Sequence, residues 1–231
     1  MTPGMSAQRR SGAARAAGPK GDTGVGSVER ALRRRAPATG SRVEQLAARA
    51  ATRLTDTAWR SGLVDVAYAW TDSPFGPLLV AVSRKGLIRV SYPEHAVDRE
   101  LEDLVRTVSP RILESAQATQ EVRRELDEYF DRRRRSFDLE VDLSPVQGFS
   151  RRVLQATARI PFGSVKTYRD VATTAGNARA TRAAGNALGG NPIPIVVPCH
   201  RVVRTGGGLG GYTGGLDRKE TLLRLEGVLL E

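Results

Sequence analysis

The run from Asn191 to Val203 (Asn-Pro-Ile-Pro-Ile-Val-Val-Pro-Cys-His-Arg-Val-Val) limits what this chain can fold into more than any other stretch. Prolines at 192, 194 and 198 remove backbone donors and fix φ, which bars a helix and predicts a preset extended lead-in. The lead-in delivers Cys199, the only cysteine in 231 residues, next to His200, one of only two histidines. A thiol on so stiff a stem is a candidate nucleophile if a nearby imidazole or cation lowers its pKa. In extended chain the side chains at i and i+1 point to opposite faces. Help from His200 is therefore expected through a bound water and not by direct contact. The competing reading, a buried inert cysteine packed as a small hydrophobe, is the usual one for a lone Cys.

A single cysteine excludes an intramolecular disulfide framework and a Cys-rich zinc site, and it suits a reducing cytosol. No apolar run reaches the roughly 18 residues of a membrane span, and the first residues lack the apolar core of a secretory signal. The expectation is a cytoplasmic protein with no membrane partner, no metal and no cofactor. Charge is uneven. Of the net +11, residues 1–60 carry 12 Lys+Arg against 4 Asp+Glu, or +8, which leaves +3 for the remainder. A basic arm of this kind reads either as a polyanion-binding element or as a solvated tail. An Arg-rich, acid-poor start also resembles an organellar transit peptide.

Along the chain, residues 1 to about 27 are Gly, Ala, Ser, Arg and Pro without periodicity, which predicts no regular structure. Ser41 and Glu44 form a capping-box pattern that starts a short helix. Its stripe of Val43, Leu46, Ala47, Ala50 and Leu54 is suited to weak docking on the next domain. The extension is thus assigned to 1–61. From Leu63 the period changes to two, which predicts a half-buried strand through Val64, Val66, Tyr68 and Trp70. Leu78–Ser83 and Leu87–Tyr92 come next across short turns, which suggests an antiparallel meander. Helical spacing then runs through Val97–Val108 and Ala118–Phe130. The run Arg132–Arg135 reads as a solvated basic loop, and Leu139, Val141 and Leu143 as a returning strand. Residues 62–144 make an α/β scaffold without nucleophile, metal cluster or phosphate loop.

Ser144-Pro145 marks the boundary to a third segment, 145–231. A helix is expected from about Gln147 to Ile160, then short helices at Tyr168–Thr174 and Thr181–Leu188 around a Gly176-Asn177 turn of three or four residues. That is a helix-turn-helix pattern, weak when taken alone. Between Ala180 and Gly190 seven of eleven residues are Ala or Gly, and Arg182 is the one large side chain set among them. Such a helix can approach a groove closely, with Arg182 standing in for a displaced base. The bland alternative is close helix packing with a surface Arg. The loop from Thr205 to Gly215 is dense in glycine and bears Tyr212, so its backbone can lie flat against a planar ligand. Asp217 and Glu220 are expected to cap a last helix that ends at Glu226-Gly227. A carboxylate at a helix C-terminus opposes the macrodipole, so Glu226 needs a partner, and His200 is the candidate.

Taken together, Asn191-Pro192, Pro198-Cys-His-Arg-Val202 and Gly211-Tyr-Thr-Gly-Gly215 resemble the O6-alkylguanine-DNA alkyltransferases, the methylated-DNA–protein-cysteine methyltransferases. The resemblance covers roughly 62–231 and is most specific from Val165 to Glu226. It implies an α/β N-terminal ribonuclease-H-like domain and a mainly α, winged-helix-like C-terminal domain with the helix-turn-helix. The implied activity is direct-reversal DNA repair: irreversible, single-turnover transfer of the alkyl group from O6-alkylguanine, and from O4-alkylthymine, to Cys199. The implied partner is double-stranded DNA, held through the minor groove with the damaged nucleotide rotated out, and with self-association on DNA. By the same resemblance His200 would deprotonate Cys199 through a water, Glu226 would orient His200, and Tyr168 would protonate the leaving guanine. Asn191 would brace the turn into the active site; Pro194, Val202, Tyr212 and Thr213 would line the guanine pocket. Arg182 would fill the vacated stack, and Thr167, Ala180, Thr181 and Gly185 would join it at the DNA. Two departures stand out. Thr213 occupies a position where Ser is expected, and the Cys-free extension cannot hold the zinc-bearing phosphotriester-repair module of some relatives.

Two other classes compete with this reading. A DNA-binding regulator with Cys199 as sensor needs base-reading side chains, which the bare second helix hardly offers. A cysteine hydrolase needs its His in direct contact with the thiol, which adjacent Cys-His disfavours.

Overall fold

The computed structural model describes residues 25–92 and 97–229. Most of the segment expected to lack regular structure, residues 1–24, lies outside the described residues. The helix expected from Ser41 is longer than the sequence suggested: α1 spans Val25–Arg60. Ser41 therefore sits within it and not at its start. Glu29 to Ala36 is all Glu, Arg, Ala and Leu, residues that favour the helix state, while Pro37 and Gly40 between them and Ser41 do not. The expected docking face is exposed at Val43, Leu46 and Leu54. The end of α1 is anchored instead by Trp59, whose ring lies under the Arg84 guanidinium at 4.0 Å.

Strands β1 (Val66–Thr71), β2 (Leu78–Ser83) and β3 (Gly86–Ser91) form the antiparallel meander. A short β4 (Ile112–Glu114) joins β1 in parallel, giving the order β3-β2-β1-β4. Three residues are too few to display a period, so β4 was not legible in the sequence. The sheet is covered on both faces. Helix α2 (Val97–Thr107) brings Leu104 onto Val66, Ala81 and Ile88. Helix α3 (Gln120–Phe130) brings Leu126 and Tyr129 into the larger cluster that holds Ala67, Val80 and Val82. The expected strand at 139–143 shrinks to one parallel bridge, Leu87 to Val141. There Gly86 has φ +129°, and a Cβ on it would stand 2.2 Å from the Glu140 carbonyl oxygen, so only glycine fits. The arginine run at 132–135 is not simply solvated: Arg134 reaches Glu128 and Asp138 at 2.9 Å each.

In the C-terminal part, α4 (Gly148–Ala158), α5 (Tyr168–Thr174) and α6 (Thr181–Gly189) pack through Val153, Leu154, Val171, Ala172, Ala184 and Leu188. Thr167 caps α5 in a reciprocal box with Asp170. The turn between α5 and α6 runs over 175–180 and is longer than expected. Asn177 donates its N–H to Ala172 O, closing α5, and then accepts from Ala180 N before α6 can start. A two-residue ladder, β5 (Lys166–Thr167) on β6 (Val202–Val203), ties the start of α5 to the chain just past Cys199. Helix α7 (Leu216–Leu225) closes the fold. Its N-cap is Gly215 at φ +89°, with no side-chain cap, so Asp217 and Glu220 do not have the capping role expected of them. From Ala50 onward the chain is one compact unit, and one hydrophobic cluster runs through it from Ala67 to Leu222.

Candidate active site around Cys199

The proline-rich lead-in is not extended. Val197 N–H donates to Ile193 O at 2.9 Å, closing a tight turn in which Ile195 takes φ +75°. A β-branched residue in that region is strained, at a cost of about 1–3 kcal/mol. Asn191 compensates: its Nδ2 donates to Val197 O (2.8 Å) and to Cys199 Sγ (3.1 Å), and its Oδ1 accepts from Ile193 N (3.0 Å). Prolines barred an α-helix, as expected, but they did not decide between an extended path and a turn. Cys199–Arg201 then forms a single 3-10 turn, so Cys199 and His200 do not alternate as they would on a strand.

Behind the thiol lies a fully buried polar cluster. Glu226, at the C-cap of α7, accepts on Oε1 from His200 Nε2 (2.9 Å), Arg201 Nη2 (2.8 Å) and the Tyr129 hydroxyl (2.8 Å). Its Oε2 accepts from Arg201 Nε at 2.9 Å. Burial pushes the Glu226 carboxyl up, but bonds from His200 and Arg201 outweigh it and hold the pKa at about 2. An ionised Glu226 requires the proton of His200 to sit on Nε2, which leaves Nδ1 as an acceptor. Nδ1 is buried and has no partner among the described residues. Burial also lowers the pKa of His200 below its ordinary value, so the ring is neutral and basic at one free atom. The thiol departs from expectation. Burial drives Cys199 up to about 11, and the Asn191 amide and the Lys219 charge offset only part of this. At neutral pH the resting protein holds a thiol, not a thiolate.

Cys199 opens onto a cavity of about 320 Å³ lined by Tyr168, Gly185, Leu188, Gly189, Gly211, Tyr212 and Thr213. Three larger cavities, about 590, 530 and 360 Å³, do not include the thiol, so chemistry and not size picks out this one. Tyr168 donates its hydroxyl to Gly211 O at 3.3 Å, and burial raises its pKa, so it remains protonated. Tyr212 shares a 2.7 Å hydroxyl contact with Tyr92 of the N-terminal sheet. Of the expected pocket residues, Tyr212 and Thr213 line this space. Pro194 lines a neighbouring cavity of about 170 Å³ with Asn191 and Thr213, and Val202 is wholly buried. Leu188 and Gly189 line the cavity without having been singled out, and Gly211 lines it as the first residue of the motif that carried the resemblance.

Comparison with known proteins gives this arrangement a family. Residues 66–143 match the ribonuclease-like domain of 6-O-methylguanine DNA methyltransferase, and residues 148–228 match its DNA-binding domain. A methylated-DNA–protein-cysteine methyltransferase of Methanosarcina acetivorans is 39% identical over 160 residues, covering 69% of this chain and 97% of the relative. This chain belongs to the methylated-DNA–protein-cysteine methyltransferase family. The fold agrees: the Mycobacterium tuberculosis O6-methylguanine methyltransferase superposes with a TM-score of 0.59 at 37% identity, over 70% of this chain and 92% of that one. A structure of the M. tuberculosis protein in complex with DNA matches with the same TM-score at 36% identity, over 69% of this chain and 92% of that one.

On the DNA-binding domain of this family member, Arg182 is exposed at the start of α6 and has no ion pair among the described residues. Thr181 and Ala180 flank it, Ala180 as the N-cap. Thr167 spends its hydroxyl on the α5 cap. Gly185 faces the Tyr168 ring, where a Cβ would sit at 3.8 Å. Sequence reasoning missed three residues that the methyltransferase fold brings to the site. Tyr129 and Arg201 both reach Glu226, and the wholly buried Lys219 donates Nζ to the carbonyls of Val202, Leu209 and Gly211. A signal for Lys219 existed: positions 219, 222, 223 and 226 share one helix face, so the charged residues at its two ends had to be buried with the leucines.

Proposed function

We propose that this protein repairs alkylated DNA by direct reversal, with Cys199 Sγ as the alkyl acceptor. The observation that carries the reading is the buried thiol at the floor of an aromatic cavity, backed by an imidazole that has a fixed tautomer and one free basic nitrogen. The damaged guanine would be rotated out of the duplex into the space between Tyr168 and Tyr212. His200 Nδ1 would take the thiol proton through a bound water as the sulfur attacks the alkyl carbon. The S–C bond forms as the C–O6 bond breaks, and the electron pair leaves on the guanine. Tyr168 would give that base a proton and recover one through the solvent-linked relay. Because burial keeps the thiol protonated at rest, ionisation belongs to the reaction and not to the resting state, which guards a lone cysteine against stray electrophiles.

The product is a thioether, and no second thiol stands near to remove the group, since Cys199 is the only cysteine in the sequence. Each molecule would therefore react once. The same cavity would take O4-alkylthymine. DNA would be held through the minor groove by α6, with Arg182 in the vacated stack. The deciding experiment offers the protein a duplex carrying labelled O6-methylguanine. Label fixed on Cys199, one per molecule, and lost in Cys199→Ser while duplex binding persists, is the expected result. Turnover would indicate a hydrolase, and binding without transfer would indicate a regulator.

A further inference from the structure

The ribonuclease-like domain contains no cysteine, and no metal cluster among its described residues, yet it places one side chain in the heart of the relay. Tyr129 lies near the end of α3, is wholly buried, and points its hydroxyl at Glu226 Oε1 at 2.8 Å. Its ring is fixed by Phe130, Phe137 and Phe162, with centroids at 5.4, 5.3 and 6.2 Å. The hydroxyl bonds to the same oxygen that receives His200 Nε2. A donor at that oxygen withdraws charge from it, and this weakens the pull of the carboxylate on the imidazole proton.

We propose that Tyr129 is a positioning residue for alkyl transfer: it holds the Glu226 carboxylate that orients His200 and, through that carboxylate, sets how basic the imidazole is. This inference rests on the reading of His200 as the base for Cys199. The groups facing Glu226 are few and come from every element around it. They are Tyr129 from α3, His200 and Arg201 from the 3-10 turn, and the Gly163 N–H at 3.5 Å from the loop after α4. Arg201 neutralises the carboxylate, and both of its Glu226-facing nitrogens are spent there. Besides His200 itself, Tyr129 is therefore the one neutral side-chain donor at that oxygen, and removing it leaves the net charge of the cluster unchanged. Around the thiol stand Asn191, Lys219, Tyr168 and Tyr212, none of which bonds to Glu226. The N-terminal domain would thus be a partner in the chemistry and not merely a scaffold.

The chain has only two histidines, so ¹⁵N-imidazole NMR of the full-length protein reads His200 directly, with a His95→Gln variant to assign the pair. In wild type, His200 should be the Nε2–H tautomer with its protonation held below the ordinary imidazole range. Tyr129→Phe keeps the aromatic contacts and removes the hydroxyl; it should raise the His200 midpoint by about one pH unit, a tenfold change in proton affinity. Replacing Tyr129 by 3-fluorotyrosine, a stronger donor of nearly the same shape, should move the midpoint the other way. This second variant also serves if Tyr129→Phe does not fold. A purely structural tyrosine would change the melting temperature and leave both titrations on the wild-type curve, and that result would overturn the proposal. Transfer from O6-benzylguanine by His200→Gln separates the two layers. A wild-type rate there removes the relay itself, and with it any part for Tyr129 in the reaction, whatever the titrations give.

Discussion

Glu226 ties stability to pH through a sign that can be worked out. Its folded pKa, about 2, lies below the ordinary 4.5, so between these values the unfolded chain binds the extra proton. The stability it contributes is complete above 4.5 and is lost as pH falls toward 2, on the order of 3 kcal/mol in all. His200 acts in the same sense from a higher pH, since its pKa is depressed below 6.5 and the unfolded chain protonates first. Urea unfolding followed from pH 8 to pH 3 should therefore lose stability in two stages. In Glu226→Gln the stage below 4.5 should shrink to what Asp103, Asp142 and the other depressed carboxylates contribute, although the variant is weaker throughout because Arg201 is left buried without its counter-charge. Lys219 gives a second test at this scale. Burial lowers its pKa to about 8, and its ammonium holds the Val202, Leu209 and Gly211 carbonyls together. Lys219→Met strands those acceptors and frees the loop that carries Tyr212. We expect a loss of about 2–3 kcal/mol in stability, measured by denaturant, and a higher half-saturating concentration of free O6-benzylguanine in single-turnover kinetics.

At the scale of elements, the roles proposed for α6 and for the basic arm on DNA can be tested separately. Arg182 is the only long side chain on α6, and the role proposed for it is in extrusion and not in the transfer step. Arg182→Ala should slow repair in duplex DNA by roughly one to two decades, from loss of about 1–3 kcal/mol that offsets unstacking. The rate on free O6-benzylguanine should hardly change, and Arg182→Lys should rescue little because an ammonium cannot stack. Equal falls on both substrates would assign Arg182 to the fold instead. Helix α1 and the residues before it supply charge: residues 1–49 hold 10 Lys+Arg against 3 Asp+Glu, a net of +7. Deleting them should weaken duplex binding and flatten its dependence on salt, since fewer counterions are released. The cut belongs at 49 and not at 60, because Trp59 packs against the core and under Arg84. An unchanged salt slope would mean that the arm does not touch DNA.

As a whole molecule, the protein from Ala50 onward should unfold as one unit, because a single cluster joins the sheet to the helix-turn-helix and two hydroxyls, of Tyr129 and Tyr92, cross between them. The probes divide conveniently: both tryptophans, Trp59 and Trp70, precede the boundary and the lone thiol lies beyond it. Tryptophan fluorescence and Cys199 accessibility should trace the same urea transition, and two midpoints would show that the halves melt independently. The contrast between legible and hidden features comes from range along the chain. Period and punctuation are local, so the sequence placed the meander, the limits of α5, and the neighbouring Cys199 and His200 within a residue or two. Glu226 was legible as well, since a carboxylate at a helix C-terminus declares that it needs a partner. What failed was whatever depended on residues far away. Pro192, Pro194 and Pro198 forbid a helix, but only Asn191, bonding to Val197 and Cys199, selects the strained turn over an extended path. A cysteine beside a histidine suggests a lowered pKa, yet the thiol is raised, because burial by the surrounding fold outweighs the neighbours that oppose it. Tyr129 sits 97 positions before Glu226, and nothing in its own helix marks it as more than a core aromatic. Only packing the two domains together gives its hydroxyl an acceptor.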